Sequence, residues 1–466
     1  MSLANRSLVA MDDLSNEEIE AVFSLADEMA GSMNEQSSVC QGKIMASLFF
    51  EPSTRTRLSF EAAMLRLGGH VITAVDIGAT SLAKGESIAD MARVVGSYAD
   101  IIVIRHPWEG SARVVADYAG VPVINAGDGG HEHPTQTLLD LYTIKKERKA
   151  IKGLKIALWG DLKYGRTVHS LACALARFGA TILFRPAPGL EMPDHVVRKL
   201  TTEYGGELRR PEAADQVGRG GLFSLDAIYV TPTIPHQLAM MPDISIQVEL
   251  EKGVDAIYVT RFQRERHDSV AGGDDVKKGY PVVDKKLLEE KVFKETLVMH
   301  PLPRIDELAH ELDTDRRSMY FKQAARGVPV RMALISLLLG ARKVDILRAE
   351  EPALVRKLDH PVYDRGFGVR CQNRNCVSVN EERYIKPEFR IVSREPLTLT
   401  CIYCEHETFP RYVASTEWHE RTLESKRYHR ADSHWARKIK PENLIIFDSE
   451  NEAQSRGFKP GRYAGS

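Results

Sequence analysis

Short apolar runs alternate with stretches of helical spacing over roughly the first 340 positions of the chain. The runs Ile44–Phe50, Val71–Val75, Ile101–Ile104 and Val121–Ile124 read as buried strands. Ser15-Asn16-Glu17-Glu18 is a capping box, and Ile19, Val22, Phe23, Leu25, Ala26 and Met29 behind it recur with helical spacing as far as about Gly31. Leu58, Ala62, Leu65 and Leu67 predict the apolar face of a second helix, stopped by Gly68-Gly69. Further helices are predicted over 88–98 and 111–119, and from His131 to about Arg148. A similar series starts near Gly153, with strands Ile156–Trp159, Thr181–Phe184 and Leu297–Met299 and a helix over 165–178. Two further strands, Asp226–Thr231 and Asp255–Thr260, are near-copies of each other; two copies do not make a solenoid. Strands alternating with helices predict parallel sheets, hence two α/β domains.

The expected boundaries are 1–150 and 151–345 for these domains. A strongly apolar last helix, about 330–343, should pack back on the first. A linker over 346–366 leads to a small β-rich module at 367–415, then a charged tail at 416–466. In the tail only Leu444–Phe447 reads as a strand, and disorder is expected from Asp448 onward.

Composition narrows the classes. Hydrophobic residues at 43%, charged at 27% and a net charge of −1 describe an ordinary globular protein with no bulk attraction to nucleic acid. The start of the chain lacks a secretory pattern and no apolar run is long enough to span a membrane, so a cytoplasmic protein is expected. Of six cysteines, four cluster as Cys371-x4-Cys376 and Cys401-x2-Cys404. Two such pairs can close a tetrahedral thiolate site, and four cysteines with no open position imply a structural zinc. A nucleic-acid-binding ribbon is the rival for this module, carried only by nearby arginines.

The chemistry concentrates after the first strand. Pro52 stops it, and Ser53-Thr54-Arg55-Thr56-Arg57 follows where the second helix begins. Unpaired N–H groups of a first helical turn, hydroxyl donors and guanidinium forks together suit a phosphate. Arg105, at the end of another strand, and His133, just before Pro134, are placed on the same sheet edge.

Ser-Thr-Arg-Thr-Arg followed by Ser-Phe-Glu resembles the carbamoyl phosphate loop of the aspartate and ornithine carbamoyltransferases. Arg105-His106-Pro107 and His133-Pro134-Thr135-Gln136 resemble further motifs of that family. The resemblance implies that Ser53, Thr54, Arg55, Thr56 and Arg105 bind phosphate, and that His133 with Arg105 and Thr56 polarises the carbamoyl carbonyl. Gln136 and the backbone carbonyls of Leu302 and Pro303 would hold the carbamoyl amine. The loop carrying Ser81 and Lys84 would reach a neighbour's active site across a homotrimer interface.

Lys163–Ser170, with Arg166, and Thr260–Arg266, with Arg261 and Gln263, resemble the aspartate branch. There, with Lys84, they would hold L-aspartate. His300-Pro301 in place of a histidine-cysteine pair agrees. The activity implied is transfer from carbamoyl phosphate to L-aspartate in pyrimidine biosynthesis, with no catalytic cofactor, no nucleic acid and no membrane. Carbamoylation of another acceptor such as ornithine, or an inactive scaffold, are the alternatives. The module at 367–415 resembles the zinc domain of the separate regulatory chain, and it could pair two trimers. Between Arg342 and Arg370 there is no room for that chain's nucleotide-binding domain, and an insertion falls around 210–254.

Overall fold

The computed structural model describes residues 2–76, 78, 80–148, 151–204, 207–209, 225–231, 253–261, 282–344, 360–364, 369–416 and 426–461. The first domain opens with α1 (Asn16–Gly31), whose Ser15 and Glu18 make the expected reciprocal cap. Then come β1 (Ile44–Phe49), α2 (Thr54–Arg66), β2 (His70–Val75), α3 (Ile88–Gly96), β3 (Ile101–His106), α4 (Ser111–Tyr118), β4 (Val123–Asp128) and α5 (Pro134–Arg148). The strands form an all-parallel sheet in the order β2-β1-β3-β4. Alternation along β1 divides two cores. Met45 and Phe49 pack with α1, α5 and the second domain, whereas Ala46 and Leu48 pack with α3, α4 and the cysteine module.

On α2 the structure corrects the expected face. Phe60, Ala63, Met64 and Leu67 turn inward, while Leu58 is 50% and Leu65 60% exposed. The spacing of Phe60, Ala63, Met64 and Leu67 sets the rotation of the helix, and Leu58 and Leu65 fall off that stripe.

The second domain holds β5 (Lys155–Gly160), α6 (Arg166–Arg177), β6 (Thr181–Pro186), α7 (Asp194–Arg198), β7 (Glu207–Arg209), β8 (Ala227–Thr231), β9 (Ala256–Val259), α8 (Lys285–Glu289) and β10 (Leu297–Met299). Its parallel sheet runs β10-β9-β8-β5-β6-β7. The near-copies are neighbours in register, Ala227 beside Ala256, with the Tyr229 and Tyr258 rings stacked at 4.6 Å. Within the insertion, the first copy is thus an inner strand of the sheet. The final helix, α9 (Tyr320–Leu338), starts ten residues before the expected Val330 and packs on α1, α2 and α5. Its first half is polar enough to hide the helical pattern, yet Tyr320, Gln323 and Gly327 are buried.

The cysteine module has β11 (Val362–Tyr363), α10 (Val377–Asn380), β12 (Phe389–Arg394), β13 (Leu397–Cys401) and β14 (Glu407–Thr408), the strands forming an antiparallel sheet. A further sheet takes β15 (Tyr412–Ser415), β16 (Arg427–Arg430), β17 (Leu444–Phe447) and β18 (Lys459–Pro460) in the order β17-β15-β16-β18, with α11 (His434–Lys438) and α12 (Glu450–Ser455). Disorder from Asp448 is therefore overturned as far as Gly461. Ser449 caps α12, Ala453 is fully buried, and the Phe458 ring meets Phe447 edge-on at 5.0 Å. Such a short helix with one buried side chain leaves almost no periodicity to read. No helix among the described residues is long and apolar enough to cross a membrane.

Candidate active site

The C-terminal ends of β1, β3 and β4 face the second domain across a cavity of about 480 Å³. Ser53 is non-helical and precedes α2, so the first turn of that helix, starting at Thr54, opens onto the cavity. Arg105 is buried, donates to Glu51 Oε1 at 2.7 Å and to the Ala126 carbonyl at 3.2 Å, and keeps its Nε without a partner. Gly127 makes room for it. At φ 119°, a Cβ there would stand 2.8 Å from Arg105 Nη1 and 3.6 Å from His133 Cδ2. His133 sits on the cavity wall with Thr135 Oγ1 3.5 Å from its Nδ1.

The opposite wall is the strap His300-Pro301-Leu302-Pro303. His300 Nδ1 accepts the Leu302 N–H at 2.7 Å, which leaves Nε2–H to be donated to Glu307 Oε1 at 2.8 Å. Burial lowers the His300 pKa against the pull of Glu307, in keeping with a neutral ring. Leu302 is held in the left-handed region at φ 55°, the kind of constrained backbone found at ligand sites.

Cations converge on this space. Burial first, and then the nearby Arg261, lower the Arg55 pKa. Arg331 also lines the cavity, donates to Ser59 Oγ at 2.7 Å, lies over the Phe60 ring, and is pushed down to about 10 by burial. An anion in the cavity relieves both effects.

Of the residues singled out from sequence, the cavity gathers Ser53, Thr54, Arg55, Thr56, Arg105, His133, Gln136, Arg261, Leu302 and Pro303. Arg166 opens α6, and its neighbour Thr167 is on the wall. Lys84 closes a 3-10 turn that begins at Ser81, and among the described residues it is not part of the wall of this chain's own cavity. Gln263 lies outside the described residues. Sequence reasoning missed Glu51, Ser59, Gln323 and Arg331 on the wall. The signal for Arg331 was available, since it is the one charged residue in the apolar stretch Val328–Leu338 of α9.

Cys371, Cys376, Cys401 and Cys404 are all buried, with their sulfurs within 4.8 Å of one another. Cys371 and Cys404 sulfurs are 3.5 Å apart and those of Cys376 and Cys401 3.8 Å, against about 3.8 Å between corners of a zinc–thiolate tetrahedron with bonds of about 2.3 Å. The four thiols therefore fit a closed structural zinc site.

The fold and this cleft define a carbamoyl-group transferase, and family comparison agrees. Residues 6–146 match the aspartate/ornithine carbamoyltransferase carbamoyl-P binding domain, and residues 236–338 match the family's Asp/Orn binding domain. Residues 365–411 match the metal binding domain of the aspartate carbamoyltransferase regulatory chain. Within the family the chain falls on the aspartate side. It is 45% identical over 340 residues to the aspartate carbamoyltransferase catalytic subunit of Picrophilus torridus, covering 72% of this chain and 99% of that one. Against the Thermococcus gammatolerans catalytic subunit the identity is 47% over 343 residues, with 73% and 99% covered. Among solved structures, the catalytic subunit of M. jannaschii aspartate transcarbamoylase aligns with a TM-score of 0.58 at 40% identity, covering 72% of this chain and 100% of that one. The Trypanosoma cruzi aspartate transcarbamoylase in complex with N-(phosphonacetyl)-L-aspartic acid gives 0.58 at 35% identity, covering 72% and 97%. The chain belongs to the aspartate/ornithine carbamoyltransferase family, and it joins a catalytic chain to a regulatory-type metal-binding domain.

Proposed function

We infer that this protein transfers the carbamoyl group of carbamoyl phosphate to L-aspartate, giving N-carbamoyl-L-aspartate and phosphate for pyrimidine synthesis in the cytoplasm. The observation that carries the reading is one cleft holding an oxyanion loop, Ser53–Thr56, on one side and Arg261 on the other. Relatives with this architecture include a T. cruzi enzyme solved with carbamoyl phosphate and aspartate together.

In this reading Ser53, Thr54, Arg55, Thr56 and Arg105 take the phosphate. His133, Arg105 and Thr56 face the carbonyl oxygen and stabilise its negative charge as the tetrahedral intermediate forms. Gln136 and the carbonyls of Leu302 and Pro303 accept from the carbamoyl amine. Arg166, Arg261 and Gln263 hold the two aspartate carboxylates. The neutral α-amine then attacks the carbonyl carbon, a C–N bond forms, the C–O bond to phosphate breaks, and the departing phosphate takes the amine proton. Positioning between the two domains supplies much of the rate. Zinc holds the cysteine module together and has no part in the chemistry.

The active unit in this reading is a homotrimer with shared sites, and the zinc module offers a surface for pairing trimers. Two observations support it. Lys84 is off the wall of its own cavity, and Leu58, Leu65, Ile72 and Val75 leave an exposed apolar face on α2 and the edge strand β2. Mixing Lys84→Ala chains with Arg105→Ala chains tests the sharing. Dissociation and reassembly should restore turnover that neither variant has alone, because some sites then combine the intact Arg105 of one chain with the intact Lys84 of its neighbour. Absence of recovery in reassembled mixtures overturns shared sites.

A further inference from the structure

Asp140 stands one helical turn beyond Gln136 on α5 and is 2% exposed. Among the described residues its hydrogen-bond partners are three neutral donors. Gln136 Nε2 and Gln323 Nε2 both reach Oδ1 at 2.9 Å, and the Tyr258 hydroxyl reaches Oδ2 at 3.1 Å. They come from α5, α9 and β9, so one carboxyl joins the first domain, the second domain and the returning helix.

A side-chain amide has one donor end and one acceptor end. Asp140 takes the donor end of Gln136, a residue of the cavity wall, which leaves Oε1 as the end available to a ligand. It also takes the donor end of Gln323. That leaves Gln323 Oε1 to accept the His300 N–H at 3.1 Å, and His300 begins the strap whose Leu302 and Pro303 form the facing wall. A flip of either amide would set an N–H against a backbone N–H or against the ligand's own N–H.

We propose that Asp140 is a positioning residue that sets the hydrogen-bond polarity of the acyl-donor pocket. It fixes both glutamines so that the pocket presents acceptors to an –NH2 group and selects a carbamoyl donor over an acyl phosphate lacking N–H. This rests on the reading of the cleft as the carbamoyl phosphate site. Burial places the Asp140 pKa at about 7, yet Oδ1 accepts in either protonation state, so the pattern holds across neutral pH. A site built to pair a ligand N–H rejects the analogue without it because the acceptors are then left unpaired.

The test compares binding of carbamoyl phosphate, acetyl phosphate and inorganic phosphate to the full-length chain by competition. Asp140→Leu should cut the preference for carbamoyl over acetyl phosphate at least tenfold while phosphate affinity moves less than threefold. Asp140→Asn keeps an acceptor at Oδ1 and should restore the preference to within threefold of wild type. Equal weakening of all three ligands in Asp140→Leu, or failure of Asp140→Asn to restore the preference, overturns the proposal. If Asp140→Leu does not fold, Gln323→Met cuts the strap arm alone; a fivefold loss of preference supports the proposal and an unchanged ratio overturns it. Failure of the underlying reading has a separate signature: wild type would bind neither carbamoyl phosphate nor phosphate.

Discussion

The cleft and the seam under the zinc module bury charge in opposite ways. At the seam, Glu405 lies between Lys199 at 3.2 Å and His131 at 3.9 Å, and Lys199 also meets Asp12 at 2.8 Å. Arg198 pairs with Glu407 at 2.5 Å, and His131 Nδ1 sits 3.1 Å from Asp128. The Lys199 ammonium beside Glu405 holds its carboxyl well below the usual range, so this charge is settled within the fold. Asn373 and Asn375 complete the dock on Glu109 and the Pro107 carbonyl. In the cleft Arg105 is paired with Glu51 at 2.7 Å, but Arg55 has Arg261 as its charged neighbour, and among the described residues no acidic group shifts Arg331. A surface meant to stay shut satisfies its ions internally, whereas one meant to receive anions leaves part of its positive charge to the ligand. The zinc module thus touches both catalytic domains of its own chain, through His131 on one and Arg198 and Lys199 on the other.

Breaking the two regions should give separable results. The largest effect is expected from the metal: chelation, or Cys404→Ala, should cost the module about 5 kcal/mol or more and lower the first unfolding transition. Turnover should survive in protein that keeps its oligomeric state; loss of activity with assembly intact would put zinc into the chemistry. Next, Arg261→Ala should raise the aspartate KM about a hundredfold, or about 2.7 kcal/mol, with carbamoyl phosphate affinity changed less than threefold. Parallel losses for both substrates would mean that the cleft is not divided as described. Glu405→Gln should cost about 1–3 kcal/mol, because Lys199 keeps Asp12 and is not left without a charged partner, and should leave both KM values alone. A kinetic effect there would show that the seam and the cleft are coupled.

The smallest effect is a slope. In the folded chain burial raises the Asp140 pKa from 3.8 to about 7. Between those values the folded state holds the extra proton, so its stability falls as pH rises through that window. Asp140→Asn lacks this loss, and its Tm relative to wild type should climb from pH 5 to pH 8. A pH-independent difference would contradict the burial argument.

The sequence disclosed the cleft's phosphate side because that side is local. Pro52 ends a strand and the hydroxyl–arginine run follows at once. Arg261 was equally legible, sitting directly after a strand. The rest depends on contacts between distant segments. Gln323 belongs to the polar first half of a helix, which concealed its start, and Asp140 gains meaning only when α9 and β9 close over it. The seam was invisible for the same reason. Glu405 reads as one more charge beside a zinc knuckle until the fold brings Lys199 and His131 to it. Leu58 and Leu65 misled because helical spacing alone does not say which stripe faces the core.

Product analysis with carbamoyl phosphate and equal concentrations of L-aspartate and L-ornithine tests the account most directly. N-carbamoyl-L-aspartate as the sole carbamoylated product, saturating with aspartate and lost in Arg261→Ala, is the result expected. Carbamoylated ornithine, or no transfer to either amine, would contradict it.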